Sequence, residues 1–376
     1  MSALSKCSAI HGNIFYSAIN PLAVAFENAL VSPRNPLISF DDDHKWGVYT
    51  SSGANISLAA YRRGPHQDRV GQSQTINLAA ESTVNTGECM HIYIGPQIFH
   101  HGHFLLTSLS RLWPLLKIPH RNFKLIYHGD HDIKTICDHI PIANATLKAF
   151  GLSPEHFIRP IAPTVFEQLF IPAPSFEETN SAHQIHSDVG TKIGKFLKSG
   201  QSLRAFMRPV MLSKTKLASG VGRFSNEDEI TNVLSRKGVE IIYPETLSLA
   251  EQINVFETAP AVVSYAGSAL HTSLLTEKSA TIIGLNLGEV MGSSQILVDA
   301  LKGNNAEYFY PTHTRKSFSG TTFAATLRVD DPIGVADAIL REIDLKTNWR
   351  ARLKNFNRKL DPLKSLAYPG VQSLWP

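Results

Sequence analysis

Three short stretches in the second half of the chain carry residue types suited to gripping an anion. SKTKLASGVGRFSNED (213–228) sets Lys214 and Arg223 among glycines ahead of a helix start. YPETLS (243–248) places Glu245 just past an apolar run, and YAGSAL (265–270) puts Gly267 and Ser268 where a strand turns into a helix. Glycine lets the backbone approach a ligand, and the first amides of a helix favour negative charge. One Gly-Ser turn alone is commonly structural. Three such turns on one sheet edge, with two cations close by, point to a diphosphate. Two further stretches could move a proton. FHHGHF (99–104) offers His103 at the start of a helix, and HGDHD (128–132) offers Asp130, His131 and Asp132. Imidazole changes charge near neutrality, so His103 is the preferred base and Asp130 the reserve. His100 and His131 would stand beside them.

The elements that must position these residues follow from periodicity. RPVMLS (208–213), VEIIY (239–243), APAVVSY (259–265) and ATIIGL (280–285) read as strands. Between the first two lies a helix with Ser225 as its expected N-cap. Ser248 and Glu251 form a capping-box pattern before Leu249, Ile253 and Phe256, which share one helix face. Strand–helix alternation at this pitch predicts a parallel sheet with helices on both faces. In such a sheet ligands bind at the carboxyl ends of the strands, where all three turns fall.

The first half is less regular. Residues 1–90 read as a strand-and-turn leader broken by Pro, Gly, Asn and Asp. Leu105, Leu109, Leu112 and Leu116 then recur at helical spacing, FKLIY (123–127) reads as a buried strand, and Ile185, Val189, Ile193 and Phe196 mark another helix. Trp349, Leu353, Phe356 and Leu360 align on a last helix. The expected division is an acceptor-side domain over 1–200, a second domain over 201–345, and a tail over 346–376 that packs back on the first.

Composition narrows the function classes. At 376 residues the chain is long enough for two cores. Its three cysteines, Cys7, Cys89 and Cys137, are too few and too scattered for a disulfide framework or a thiolate metal site, which fits a reducing compartment. No stretch approaches the ~20 apolar residues of a membrane span, and no signal-peptide pattern opens the sequence. A net charge of +4 does not imply nucleic-acid binding. Cations do cluster, however: Val189 to Asn226 holds eight and no acid, and the tail is basic again. The first run suits an anionic ligand, the second an anionic membrane surface. There is neither a G-x-x-x-x-G-K-[ST] loop nor a G-x-G-x-x-G opening a βαβ unit, which argues against P-loop and dinucleotide enzymes.

KLASGVGRFSNEDEI, YPETLSLAEQINVF and AVVSYAGSALHTSLL together resemble glycosyltransferase family 61, as does GHFLLTSLSRLWPL (102–115) in the first half. The resemblance implies a GT-B fold of two Rossmann-like domains facing a cleft, an inverting mechanism, a nucleotide-sugar donor that is usually UDP-linked, and no metal or other cofactor. It carries over Arg223, Asn226 and Glu227, then Glu245 and Gln252, then Gly267, Ser268 and Leu270 as donor-side residues, with Lys214 where Arg is frequent. The sequence departs from the family pattern at Thr107, where an acid is common, at Ala266, where His is usual, and at Thr272, where Asn is usual. The implied acceptor is a surface polysaccharide or a lipid-linked glycan, met in the cytoplasm or at the inner face of the plasma membrane. Two other readings stand beside this one. The departures would suit a non-catalytic nucleotide-sugar binder. LISFDDDH (37–44) imitates the Asp-x-Asp metal motif of GT-A transferases through Asp41 and Asp43, although little chain precedes it and an Asp-rich turn is the better account. Adjacent histidines on a loop rarely converge on one metal ion.

Overall fold

The computed structural model describes residues 2–84, 89–118, 122–217, 222–316 and 326–351. It is a mixed α/β structure with two principal sheets. In the second half, Val210–Leu212, Glu240–Ile242, Val262–Tyr265, Thr281–Leu285 and Asn305–Pro311 run parallel. Counted along the chain, their spatial order is 2-1-3-4-5. The strands read as unbroken apolar runs because both of their faces are covered. Met211, Val263 and Ile283 pack under the helices Glu227–Arg236 and Pro332–Thr347. Their neighbours Val210, Val262 and Ile282 face the helix Leu249–Thr258 instead. The capping box forms as expected, with Ser248 and Glu251 each bonding the other's backbone. The helix after Arg223 starts one residue later than expected, with Asn226 rather than Ser225 as its cap residue.

The first-half sheet is mixed. Met90–Pro96, Phe123–His128 and Phe157–Ile158 are parallel neighbours. Thr164–Pro172 touches Met90–Pro96 in parallel and pairs antiparallel along Ala23–Ser32, which Gly47–Tyr49 borders in turn. Ile92, Ile94 and Leu125 face Phe104, Leu105, Leu109 and the helix Gln184–Lys198. The other face carries Ala29, Val31, Ile126 and Phe166.

Two features depart from the expected layout. The opening strands do not stay with the first half: Leu4–Lys6 runs antiparallel along Asn305–Pro311, and Ala9–His11 pairs with Val290–Gly292. An otherwise open edge of the parallel sheet is covered in this way. The leucine helix is also shorter than its periodicity suggests. His101–His103 passes directly into a π turn at Phe104–Ser108, where the Leu109 amide bonds the Phe104 carbonyl at 3.1 Å.

The two halves are locked together beside the Gly-Ser turn. The short helix Ser268–His271 continues as a 3-10 turn, Thr272–Leu275, against the helix Gln184–Lys198. A Cβ on Gly190 or Gly194 would stand 2.4 and 1.8 Å from the carbonyl oxygens of Leu274 and Leu275, so only glycine permits this approach. Trp349 is buried against Gly238 and the core of the second sheet. Leu353, Phe356, Leu360 and the basic tail lie outside the described residues.

Candidate active site at the switch point of the second sheet

In a sheet ordered 2-1-3-4-5, neighbouring connections run to opposite sides between the first and third strands, and the crevice outside their carboxyl ends is the usual ligand site. A cavity of about 480 Å³ opens there. Leu212, Ser213 and Lys214 line it from the first strand, Pro244 and Glu245 from the second, and Tyr265, Gly267 and Ser268 from the third. His101 and Pro141 close it from the other half of the molecule.

Each wall has a local cause. Gly267 sits at φ 145°, a region that side chains disfavour, although a Cβ there would meet nothing within 4 Å. Glycine is needed for the bend and not for space. The bend leaves the first amides of the following helix without intrahelical acceptors. The Lys214 amide donates to Glu227 Oε1 at 2.9 Å, which anchors the turn. Lys214 Nζ reaches the Gly222 carbonyl at 3.4 Å and lies 5.0 Å from the Tyr265 ring centre. Burial lowers the Lys214 ammonium below its usual range, against an opposing pull from Glu227. Burial likewise raises Glu227, and it raises Tyr265 well above the ordinary phenol, assisted by the Glu227 charge.

Around the histidines the two halves touch. A Cβ on Gly102 would stand 2.9 Å from the Cβ of Ser268, so the His101–His103 turn lies directly on the Gly-Ser turn. His101 faces the cavity, and burial pushes it down to about 4, neutral at ordinary pH. His271 is also pushed down to about 4 by burial, and its Nδ1 is buried without a partner. His103 stands beside the cavity, two residues beyond the lining residue His101, with its Nδ1 2.8 and 3.0 Å from the two carboxylate oxygens of Glu178. Thr107 donates to the same carboxylate at 2.5 Å. Burial pulls Glu178 up, but the His103 and Thr107 interactions outweigh it and hold the carboxyl below its usual range. The His100 ring stands 4.9 Å from that of His103, and burial lowers it.

Residues 101–283 match the family model described as Glycosyltransferase 61. This region belongs to glycosyltransferase family 61. No curated protein matches the chain. The match runs from the first wall histidine through the last strand it reaches, Thr281–Leu285, and so spans every element that lines the cavity.

The structure sorts the residues expected in this glycosyltransferase's site. Lys214, Glu245, Gln252, Gly267 and Ser268 share the cavity. Gln252 does so while tying the turn beside it, donating to the carbonyls of Pro244 at 3.0 Å and Leu247 at 3.2 Å. Four other donor-side residues lie outside its wall. Asn226 clamps Val329, donating to its carbonyl and accepting from its amide at 3.0 Å each, so it holds the strand beside the helix start. Glu227 holds the Lys214 turn from behind, and Leu270 is fully buried in the core. Arg223 lies on a strand paired with Thr326–Val329.

The HGDHD cluster does not join the site. Asp130 lies 3.3 Å from Arg34, and Asp132 caps the helix Ile133–His139 through the Thr135 amide. His131 packs on Phe99 with ring centres 4.6 Å apart. His128 is buried, its ring nitrogens matched to Tyr93 and the Ser32 carbonyl at 2.9 Å each. The Asp-x-Asp resemblance fails for the same reason. Asp43 is buried with Arg34 at 3.0 Å and accepts the backbone amides of Asn35 and Lys45. Among the described residues no group of three or more His, Cys, Asp or Glu is arranged to hold a metal ion.

Sequence reasoning missed His101, His271, Tyr265 and Glu178. His101 differs from its neighbours only in the direction the turn gives it, and nothing local to Glu178 signals a histidine partner.

Proposed function

We propose that this glycosyltransferase moves a sugar from a nucleotide-sugar donor, UDP-linked, to a surface polysaccharide or other glycan acceptor, with inversion and without a metal. The observation that carries this reading is the cavity at the switch point, which Lys214 and residues 267–269 line together. In this reading the diphosphate lies between Lys214 and residues 267–269, and Glu245 at the rim accepts from the ribose hydroxyls. The acceptor approaches from the half that supplies His101 and Pro141.

The chemistry needs a base for the acceptor hydroxyl and charge stabilisation for the departing diphosphate. The acceptor oxygen bonds the anomeric carbon from the face opposite the diphosphate, whose bond breaks with its electron pair. The hydroxyl proton passes to His103. Lys214 and the amides take up the charge that develops on the phosphate, and a partly buried ammonium does so more strongly than one in water. We read the two sheets with a cleft between them as a GT-B arrangement. No described helix is long and apolar enough to cross a membrane, and we place the work in the cytoplasm, at the inner membrane face where lipid-linked acceptors are met.

A donor panel with EDTA present tests the proposal. The expected result is transfer or slow hydrolysis from a UDP-sugar, unaffected by EDTA, with the anomeric configuration inverted by NMR. Retention of configuration, or turnover abolished by the chelator, would remove the mechanism.

A further inference from the structure

The reading above makes His103 the base and leaves its ring without an assigned orienting partner. We infer that Glu178 is the positioning carboxylate of His103, holding Nδ1–H so that Nε2 is turned to the acceptor hydroxyl. The inference rests on that reading for the reaction, while the pairing itself stands on geometry.

Both Glu178 oxygens lie within hydrogen-bond distance of His103 Nδ1, at 2.8 and 3.0 Å. An ionised carboxylate only accepts, so the neutral ring carries its hydrogen on Nδ1 and its lone pair on Nε2. The Glu178 side chain is 11% exposed and that of His103 33%. The carboxylate is therefore sealed while the ring still reaches solvent. The Thr107 hydroxyl donates to Oε1 at 2.5 Å and fixes the rotamer. His100, His101 and His271 surround the ring, and Arg63 and Tyr61 face the carboxylate.

Glu178 stands at the tip of a hairpin between Phe176–Glu177 and Ser181–His183. The next residue, Thr179, has φ 60°, left-handed backbone that a β-branched residue rarely adopts. Three distant segments hold it there. The Thr179 amide donates to Ser294 Oγ at 2.8 Å, the Asn13 amide donates to the Thr179 carbonyl at 2.8 Å, and Gln67 Nε2 donates to the Glu178 carbonyl at 3.4 Å. A Cβ on Gly12 would stand 2.5 Å from that Thr179 carbonyl. Strain persists where surroundings over-determine it, and a residue so held is suited to a fixed role.

In the reaction the acceptor O–H bond breaks and its proton bonds to Nε2. The imidazolium is balanced by Glu178, which keeps its own charge and takes no proton. Nε2 later returns the proton to solvent.

Glu178→Gln in the full chain preserves shape and removes the charge. We expect kcat to fall about 10²-fold, with the donor KM within about twofold and UDP binding by calorimetry unchanged. The acid limb of the pH–rate profile should move to lower pH, because the imidazolium loses its counter-charge. Glu178→Asp should recover part of kcat. A kcat within twofold of wild type, with the limb unmoved, overturns the inference. If no UDP-sugar serves as donor, the proposed function has failed, and histidine ¹⁵N NMR still decides the pairing. The neutral His103 ring should carry its hydrogen on Nδ1 in wild type, and a ring protonated on Nε2 instead overturns the inference.

Discussion

Two strand ends carry the molecule's most conspicuous chemistry in opposite ways. HGDHD, after Phe123–His128, is dense in titratable groups, yet nearly all of them serve the fold: Asp132 caps a helix, His128 bridges two elements, and Asp130 leans on Arg34. SYAGSA, after Val262–Tyr265, has almost no ionisable side chain, yet it forms the wall of the cavity. The difference teaches that a site is marked by polar groups left without internal partners, and that the number of acids and histidines is a poor guide. Backbone amides at a bend forced by Gly267 meet that condition; the Asp132 carboxylate, which already accepts from the Thr135 amide and hydroxyl, does not.

The largest expected effect touches both regions at once. Burial pushes His128 in the first, His101 and His271 in the second, and His186 between the halves down to about 4. An imidazole depressed in the folded state contributes stability that is present above its unfolded value of about 6.5 and lost as pH falls toward the folded value. The melting temperature should therefore hold from pH 8 to about 6.5 and drop steeply between pH 6.5 and 4. A flat profile across that window would contradict the burial of these rings.

Asp43→Ala separates the two kinds of region. Removing one partner of a buried ion pair costs about 3–5 kcal/mol, so denaturant unfolding should show a loss of that order while the fraction still folded keeps wild-type kcat. A selective loss of activity would return the Asp-x-Asp stretch to the site. Lys214→Ala should do the reverse. A hydrogen bond to a charged group contributes about 1.5–3 kcal/mol, so UDP affinity should fall about 10- to 100-fold, with little change in melting temperature. Asp130→Asn should change least. Arg34 keeps its buried partner Asp43 when Asp130 is neutralised, so the loss of stability should be smaller than in Asp43→Ala. A drop of tenfold or more in kcat would reinstate Asp130 as the base.

Much of the second half was legible in the sequence, because apolar runs separated by capped helices leave few alternatives to a parallel sheet. The bend at Gly267 and the place of Lys214 at the end of the first strand were legible from the same pattern. The strand order was not, since pairing is decided between elements far apart in the chain. Asn226 and Arg223 match a motif in their letters, yet the Asn226 amide is taken up by Val329, a contact that lies 103 positions away. Nor could spacing say which residue of His-His-Gly-His lines the cavity, because that depends on how this turn lies on the Gly-Ser turn far away in the chain. Glu178 was hidden for a related reason. It meets His103 across 75 positions, through a hairpin held in an uncommon backbone state.

The most direct test of the central claim is a crystal structure with UDP soaked or co-crystallised in the presence of EDTA. The account predicts the diphosphate between Lys214 Nζ and the amides of residues 267–269, with the ribose beside Glu245. Density for UDP at any other surface, or a diphosphate out of reach of both Lys214 and the Gly-Ser turn, would contradict it.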